Sequence, residues 1–238
     1  MIKYVLISVL LVFCFGTLPA QNEMNIEAIA DVETKTISIA QTIVYKNESD
    51  DTLSTIYLND WNNSYSSKST PLAKRFEEEF STKFHLAKSE QRGFTLVTSI
   101  KNSNDDHALN YKHLEAHPDV IKVDLNTPLK PGASYRLSLD YVLVLPDATF
   151  TDYGITKTKD FELKYWYITP AVYNGKWNYY SNKNLDDLFV PKSDININLT
   201  HPINYRATSE LDVVAMTPDY ENRVQTTILS GKAVSYTH

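Results

Sequence analysis

The chain reads as an all-β domain, an antiparallel β-sandwich carrying one short helix near residues 71–89. Three observations predict this. Apolar and polar side chains alternate through five separate runs, the pattern of strands with one buried and one wet face. Polar turn sequences divide those runs. Only one stretch shows the four-residue recurrence of a helix.

The strands follow in chain order. Thr36 to Tyr45 sets Ile37, Ile39, Ile43 and Tyr45 on one face and Ser38 and Thr42 on the other. Phe94, Leu96, Thr98 and Ile100 repeat the pattern, as do Ile121, Val123 and Leu125. The longest case is Tyr135, Leu137, Leu139, Tyr141, Leu143 and Leu145, alternating with Ser134, Arg136, Ser138 and Asp140. Ile195, Ile197 and Leu199 alternate with Asp194, Asn196 and Asn198. Asn47-Glu48-Ser49-Asp50-Asp51 predicts one turn, and Thr127-Pro128-Leu129-Lys130-Pro131-Gly132 another, where proline sets φ and glycine permits a positive φ. Many strands joined by polar turns suggest two packed sheets.

The helical stretch is Pro71 to Ser89. Leu72, Phe76, Phe80 and Phe84 recur every four residues and mark its buried face. Pro71 suits the first turn, and Gly93 closes the segment. No internal repeat, low-complexity tract or interdomain linker is evident.

The first twenty residues stand apart. Lys3 precedes a continuous apolar run, Val5 to Phe15, and Gly16-Thr17-Leu18-Pro19-Ala20 follows. This is the pattern of a signal peptide cut after Ala20. The run is short for a permanent anchor; Leu18 is a poor residue three before the cut, which keeps an uncleaved anchor as the alternative. Cys14 has Phe13 before it, where a lipoprotein needs a small residue. Removing residues 1–20 takes away Lys3 and Cys14, leaving 22 basic against 29 acidic residues and no cysteine. Stability then rests on packing without disulfides. Export to the periplasm or cell surface of a Gram-negative bacterium fits this composition. The acidic balance excludes a nucleic-acid partner, which needs a basic face. The sequons at Asn47, Asn62 and Asn198 read as chance in an Asn-rich chain.

No catalytic set assembles from the residues. His113-Leu114-Glu115-Ala116-His117 has the glutamate in the wrong place for H-E-x-x-H. Pro118 disfavours a helical His117. In an extended chain the two histidines lie about 13 Å apart, too far to share a metal. The segment reads as a polar loop. Asp105-Asp106 and Asp186-Asp187 match no calcium-loop pattern, and Glu77-Glu78-Glu79 reads as the wet side of the helix. No nucleophile elbow and no P-loop occurs. The aromatic cluster is the most suggestive feature: Tyr165-Trp166-Tyr167-Ile168-Thr169-Pro170, then Tyr173, Trp177, Tyr179 and Tyr180. Such rings build binding surfaces, here a carbohydrate platform or an interdomain contact, and they equally build a core strand with an ordered loop after it.

The order of these segments resembles the N-terminal β domain of zinc aminopeptidases of the aminopeptidase N family. The run Ile37 to Leu58, centred on Val44-Tyr45-Lys46-Asn47-Glu48-Ser49-Asp50-Asp51 and continuing through Leu53 and Ile56-Tyr57-Leu58, resembles that domain's opening. Val123-Asp124-Leu125 with Pro128-Leu129-Lys130-Pro131-Gly132 is similar to its L-x-x-P-L-x-P-G hairpin. Trp177 to Asn198 is similar to the segment before its last strands, and the helix at Pro71 to an insertion in bacteroidete members. The likeness spans nearly all of residues 23–233 and rests on segment order.

The resemblance implies a saddle-shaped sandwich that packs on a thermolysin-like catalytic domain and walls its substrate cleft. The family's zinc helix and G-x-M-E-N loop lie in that next domain and do not occur here, so no catalytic or metal residue is carried over. Trp166, Tyr167, Tyr173 and Trp177 fall in the neighbourhood of the cleft wall or interface. The expected organisation is a signal peptide over 1–20, the β domain over 21–233, and a non-native tail over 234–238, where Val234-Ser235-Tyr236-Thr237-His238 resembles translated adapter sequence. The chain alone is expected to hold no cofactor and to have no peptidase activity. Zinc and peptide substrate belong to the complete parent, and the missing catalytic domain is the expected partner. A free-standing exported β-sandwich that binds glycans or partner proteins is the alternative.

Overall fold

The structure is a computed structural model and describes residues 22–185 and 188–233. The expected signal peptide, the acid pair 186–187 and the tail 234–238 lie outside the described residues.

The strands in chain order are β1 (Asn22–Asp31), β2 (Thr36–Lys46), β3 (Leu53–Asn59), β4 (Phe94–Asn102), β5 (His107–Ala108), β6 (Tyr111–His113), β7 (Val120–Leu129) and β8 (Ser134–Val144). Short strands β9 (Gly154–Ile155), β10 (Phe161–Glu162), β11 (Thr169–Pro170), β12 (Val172–Tyr173) and β13 (Trp177–Asn178) follow. The last three are β14 (Ser193–Pro202), β15 (Asp212–Asp219) and β16 (Val224–Ala233). Eight strands form one large sheet in the order β15-β16-β14-β1-β2-β8-β4-β5, and four form a smaller sheet, β11-β3-β7-β6. Pairs β9–β10 and β12–β13 stand apart.

The alternation dictates which side faces in. Ile37, Ile39 and Ile43 of β2, Leu137, Leu139 and Leu143 of β8, and Met24 and Ile26 of β1 are buried from the large sheet. They meet Ile56, Leu58, Ile121 and Val123 of the small sheet in one continuous core. The all-β sandwich is therefore the observed architecture. Among the described residues its named strands pair antiparallel except β1 and β14, which run parallel, Met24 beside Ile195 and Ile26 beside Ile197. Those strands are far apart in sequence, and a parallel pair needs a long connection.

Asn47 is the pivot where the chain leaves β2 for the other sheet. Its Nδ2 donates to Asp51 O and Leu129 O, and its Oδ1 accepts from Ser49 N. Its backbone pairs with Ala133 and Gly132. The two predicted turns are thus tied together by one side chain. The second turn is tighter than expected, since β7 runs through Leu129 and only Lys130–Ala133 reverse the chain around Gly132 at φ 72°.

Two expectations are corrected. The Phe94–Ile100 run does not keep one face. A bulge between Val97 and Ser99 opposite β8 inserts an extra residue, so Ile100 is buried while Phe94 and Leu96 are exposed. An extra residue reverses the facing of every side chain on one side of it. The predicted helix is also broken. A first helix, α1, spans Pro71–Glu78, with Thr70 Oγ1 accepting from Ala73 N at its start. Phe80 then adopts φ 57°, with Phe80 N bonded to Glu77 O and Ser81 N to Phe76 O, a Schellman-type end. A second short helix, α2, spans Lys83–Leu86. The reversal brings Phe84 back onto Phe76, ring centroids 5.5 Å apart, and leaves Phe80 93% exposed.

Candidate functional site

Three places concentrate unusual side chains: the aromatic segment over the small sheet, a buried polar turn after β3, and the free edge at β15.

The aromatic segment is held from below. Tyr141 OH donates to Gln41 Oε1 at 2.6 Å, Gln41 Nε2 donates to Ile168 O at 2.8 Å, and Ile168 N donates back to Tyr141 OH at 3.0 Å. This closed ring fixes the start of the segment between the sheets. Burial pushes the Tyr141 hydroxyl well above its ordinary range, so it stays a donor. Thr169 and Pro170 then pair with Asn59 and Leu58. Before them, Trp166 and Tyr167 sit half-buried in irregular chain, edge to face at 5.4 Å. This part is an ordered loop and not a core strand.

The hairpin β12–β13 lays Trp177 against Tyr45 at 5.8 Å and Tyr57 at 5.6 Å. Tyr173 meets Trp177 at 5.2 Å and donates its hydroxyl to Asp51 at 2.8 Å. Tyr179 stacks on Tyr57 at 5.2 Å, and His117 packs on Tyr179 at 5.9 Å. The structure thus gathers Tyr173 and Trp177 in one cluster and leaves Trp166 and Tyr167 as a separate pair. The rings cover the solvent side of β3 and remain half-exposed.

Sequence reasoning missed the polar turn. The residues Asp60-Trp61-Asn62-Asn63-Ser64-Tyr65 are all buried. The Asp60 Oδ1 accepts from Thr95 Oγ1 at 2.6 Å, while its Oδ2 is buried without a partner. Burial, reinforced by nearby Asp119, pushes Asp60 up to about 7 against the pull of the Thr95 hydrogen bond. Asp119 is also buried and raised by desolvation; it accepts from Ser181 Oγ and Asn182 N. Asn62 donates to Thr95 Oγ1 and Val144 O and accepts from Tyr153 OH. Asn63 donates to Pro118 O. The network stitches β3, β4, β7, β8 and the loop at 181–182 together. A signal was available, since a run of Asp, Asn and Ser between two strands had no turn glycine or proline.

Asn47 and Asn62, the first two sequon asparagines, are therefore buried and committed to internal hydrogen bonds. Asn198 donates to Glu27 Oε1 on the outer face of the large sheet. In the histidine pair, His117 packs on Tyr179 with its Nδ1 buried and without a hydrogen-bond partner. His113 Nδ1 lies 2.6 Å from Pro118 O, and burial lowers its pKa. The segment turns at Leu114–His117. Asp105 accepts from His107 N and Asn126 Nδ2, and Asp106 pairs with Lys101. Glu77, Glu78 and Glu79 stay on the wet side of α1, the last two paired with Arg75. Among the described residues no group of three or more His, Cys, Asp or Glu side chains is placed to hold a metal. The chain's described part offers no donor set that fits zinc.

The third place is β15, the last strand of the large sheet, exposed at all eight residues. Val213 and Met216 stand opposite Leu229 and Thr227 of β16, which are buried. The core-facing side of the sheet therefore continues to its edge and emerges there as bare apolar surface. Val214, in a bulge, is 63% exposed, and Tyr220 just beyond is 79% exposed.

No protein-family model and no curated protein matches the chain. Solved structures do. The M1 zinc metallopeptidase from Deinococcus radiodurans is similar with 13% identity and a TM-score of 0.48, over 88% of this chain and 38% of that one. A mutant of it bound to a Tyr-Ser-Ala substrate is similar with 12% identity and a TM-score of 0.48, over the same shares. A mutant two-domain M1 zinc metallopeptidase bound to L-arginine has 14% identity and a TM-score of 0.47. The chain spans 38% of the length of each of these proteins.

Proposed function

We propose that this chain is the non-catalytic N-terminal β domain of an exported zinc aminopeptidase-like protein. In that reading it packs on a thermolysin-like catalytic domain and helps to shape its substrate cleft. The zinc, the general base and peptide hydrolysis belong to that further domain. Two lines support the reading: the order of sequence segments from Ile37 to Asn198, and the observed all-β sandwich. The observation that carries it is the bare apolar edge at Val213, Val214, Met216 and Tyr220. Exposed apolar surface of this kind marks a contact with another body.

The aromatic cluster bears on the glycan-binding alternative. A carbohydrate platform presents flat rings to solvent, whereas Trp177 and Tyr179 are packed onto Tyr45 and Tyr57. The half-exposed borders of Trp166, Tyr167, Tyr173 and Trp177 are assigned instead to the cleft wall or interface. Reading the source gene past His238 tests the proposal. An in-frame H-E-x-x-H with a downstream Glu supports it. A stop codon there, together with a purified chain that is monomeric at high concentration, overturns it.

A further inference from the structure

The turn between β12 and β13 carries Asn174 and Gly175, both exposed. It is the one Asn-Gly pair in the sequence. From its geometry we propose that Asn174 is a site of spontaneous deamidation and backbone isomerisation, an ageing reaction that loosens the aromatic hairpin.

The reaction needs the amide nitrogen of the following residue to reach the asparagine Cγ. Here four conditions meet. Gly175 has no side chain to shield its nitrogen, and a Cβ placed on it would meet nothing within 4 Å, so the peptide has room to rotate. The Gly175 N–H makes no hydrogen bond among the described residues. Asn174 Oδ1 accepts from Asn178 Nδ2 at 2.7 Å, which withdraws electron density from Cγ. The Asn174 Nδ2 has no hydrogen-bond partner among the described residues and faces water.

The chemistry balances with water as the only co-reactant. Gly175 N gives its proton to a solvent base and forms a bond to Asn174 Cγ. The Cγ–Nδ2 bond breaks, and the amide leaves as ammonia with a proton from water. The resulting cyclic imide adds one water. Opening at the side-chain carbonyl gives an aspartyl residue; opening at the main-chain carbonyl gives an isoaspartyl residue with one extra backbone carbon. The next most reactive neighbours are protected. Asn63, before Ser64, is buried and donates to Pro118 O while accepting from Thr95 N. Asn102, before Ser103, is buried, donates to Asn126 Oδ1 and accepts from Asn104 N.

Among the described residues the strand pairing of this hairpin is two residue pairs, Val172 with Asn178 and Tyr173 with Trp177, and the ring contacts of Trp177 and the Tyr173–Asp51 hydrogen bond depend on that register. An extra backbone carbon in its three-residue turn breaks that register and frees Tyr173 and Trp177 from the small sheet. The test is to incubate the purified chain at mildly alkaline pH and follow it by peptide mass mapping with isomer separation. The peptide spanning Asn174 is expected to gain the amide-to-acid mass an order of magnitude faster than those spanning Asn63 and Asn102, and to split into two isomers. Asn174→Gln should abolish the change, and the isoaspartyl form should exchange the Trp177 and Asn178 amide hydrogens faster than fresh protein. Conversion of Asn174 no faster than Asn63 or Asn102, or unaltered hairpin exchange in the converted form, overturns the proposal.

Discussion

Asp60→Asn is the most informative single change in this fold. The wild-type carboxyl is 1% exposed, with one oxygen bonded to Thr95 Oγ1 and the other unpartnered. Asparagine keeps the accepting oxygen and replaces the unpartnered one with an amide of nearly the same size. The only large difference is charge. Burial raises Asp60 from 3.8 to about 7, so the folded chain holds a proton that the unfolded chain releases across that interval. The stability contributed by the neutral carboxyl is therefore complete below pH 3.8, falls as pH rises, and is lost above about 7. At about 1.4 kcal/mol per unit, the whole shift is on the order of 4 kcal/mol, and more than half of it falls between about pH 5 and 8.

Urea unfolding of both proteins at pH 5 and pH 8 measures this as a double difference, which cancels contributions from groups that do not interact with Asp60, such as the exposed carboxylates, and leaves Asp60 together with its coupling to Asp119. The variant should be the more stable of the two at pH 8, and the gap should shrink toward pH 5. Parallel pH dependence, with the gap changing by less than about 0.5 kcal/mol, would refute the claim that Asp60 is buried without compensation for its charge.

Other changes probe the remaining features. Tyr141→Phe leaves Gln41 Oε1 and Ile168 N unpaired inside the core, and thermal or urea unfolding should show a loss of about 2–4 kcal/mol. Phe80→Gly relieves a positive φ at an exposed helix end and should stabilise by about 0.5–1 kcal/mol in the same assay. Gly154→Ala should abolish soluble expression at 37 °C, because a Cβ there would lie 2.0 Å from Pro146 O and φ is +120°. Val214→Lys with Met216→Lys should convert a self-associating chain to a monomer in sedimentation, with unfolding midpoints unchanged, since both side chains are exposed.

The period-two runs at Thr36–Tyr45, Ser134–Leu145 and Asp194–Leu199 were legible because each lies on a strand whose two sides differ in wetness. The facing of Phe94 and Leu96 was not, because a bulge opposite β8 is decided by the partner strand and leaves no local mark. Strand β1 was hidden for another reason. Its Met24, Ile26 and Ala28 alternate properly, but Glu and Ala are poor strand formers, and only pairing with β2 and β14 holds it. The break at Phe80 escaped because a left-handed non-glycine residue contradicts local propensity. Tertiary contact of Phe84 with Phe76 and Tyr65 decides it.

The polar turn and the aromatic segment form one device, though the sequence shows them as two unrelated motifs. Gln41 and Tyr141 grip Ile168 at the start of the segment, and Asp119 grips Ser181 and Asn182 at its end. Between these fixed ends, Tyr173, Trp177 and Tyr179 lie over the small sheet with two strand pairs and ring contacts to hold them. The ends are strapped by buried, low-dielectric hydrogen bonds, joined at the far end by Tyr180 N to the buried Asn59 Oδ1, and the middle rests on half-exposed ring contacts and the exposed Tyr173–Asp51 hydrogen bond. Opening of the middle therefore costs far less than opening of either end. Residues 172–179 are therefore expected to exchange their amide hydrogens ahead of the sandwich beneath them.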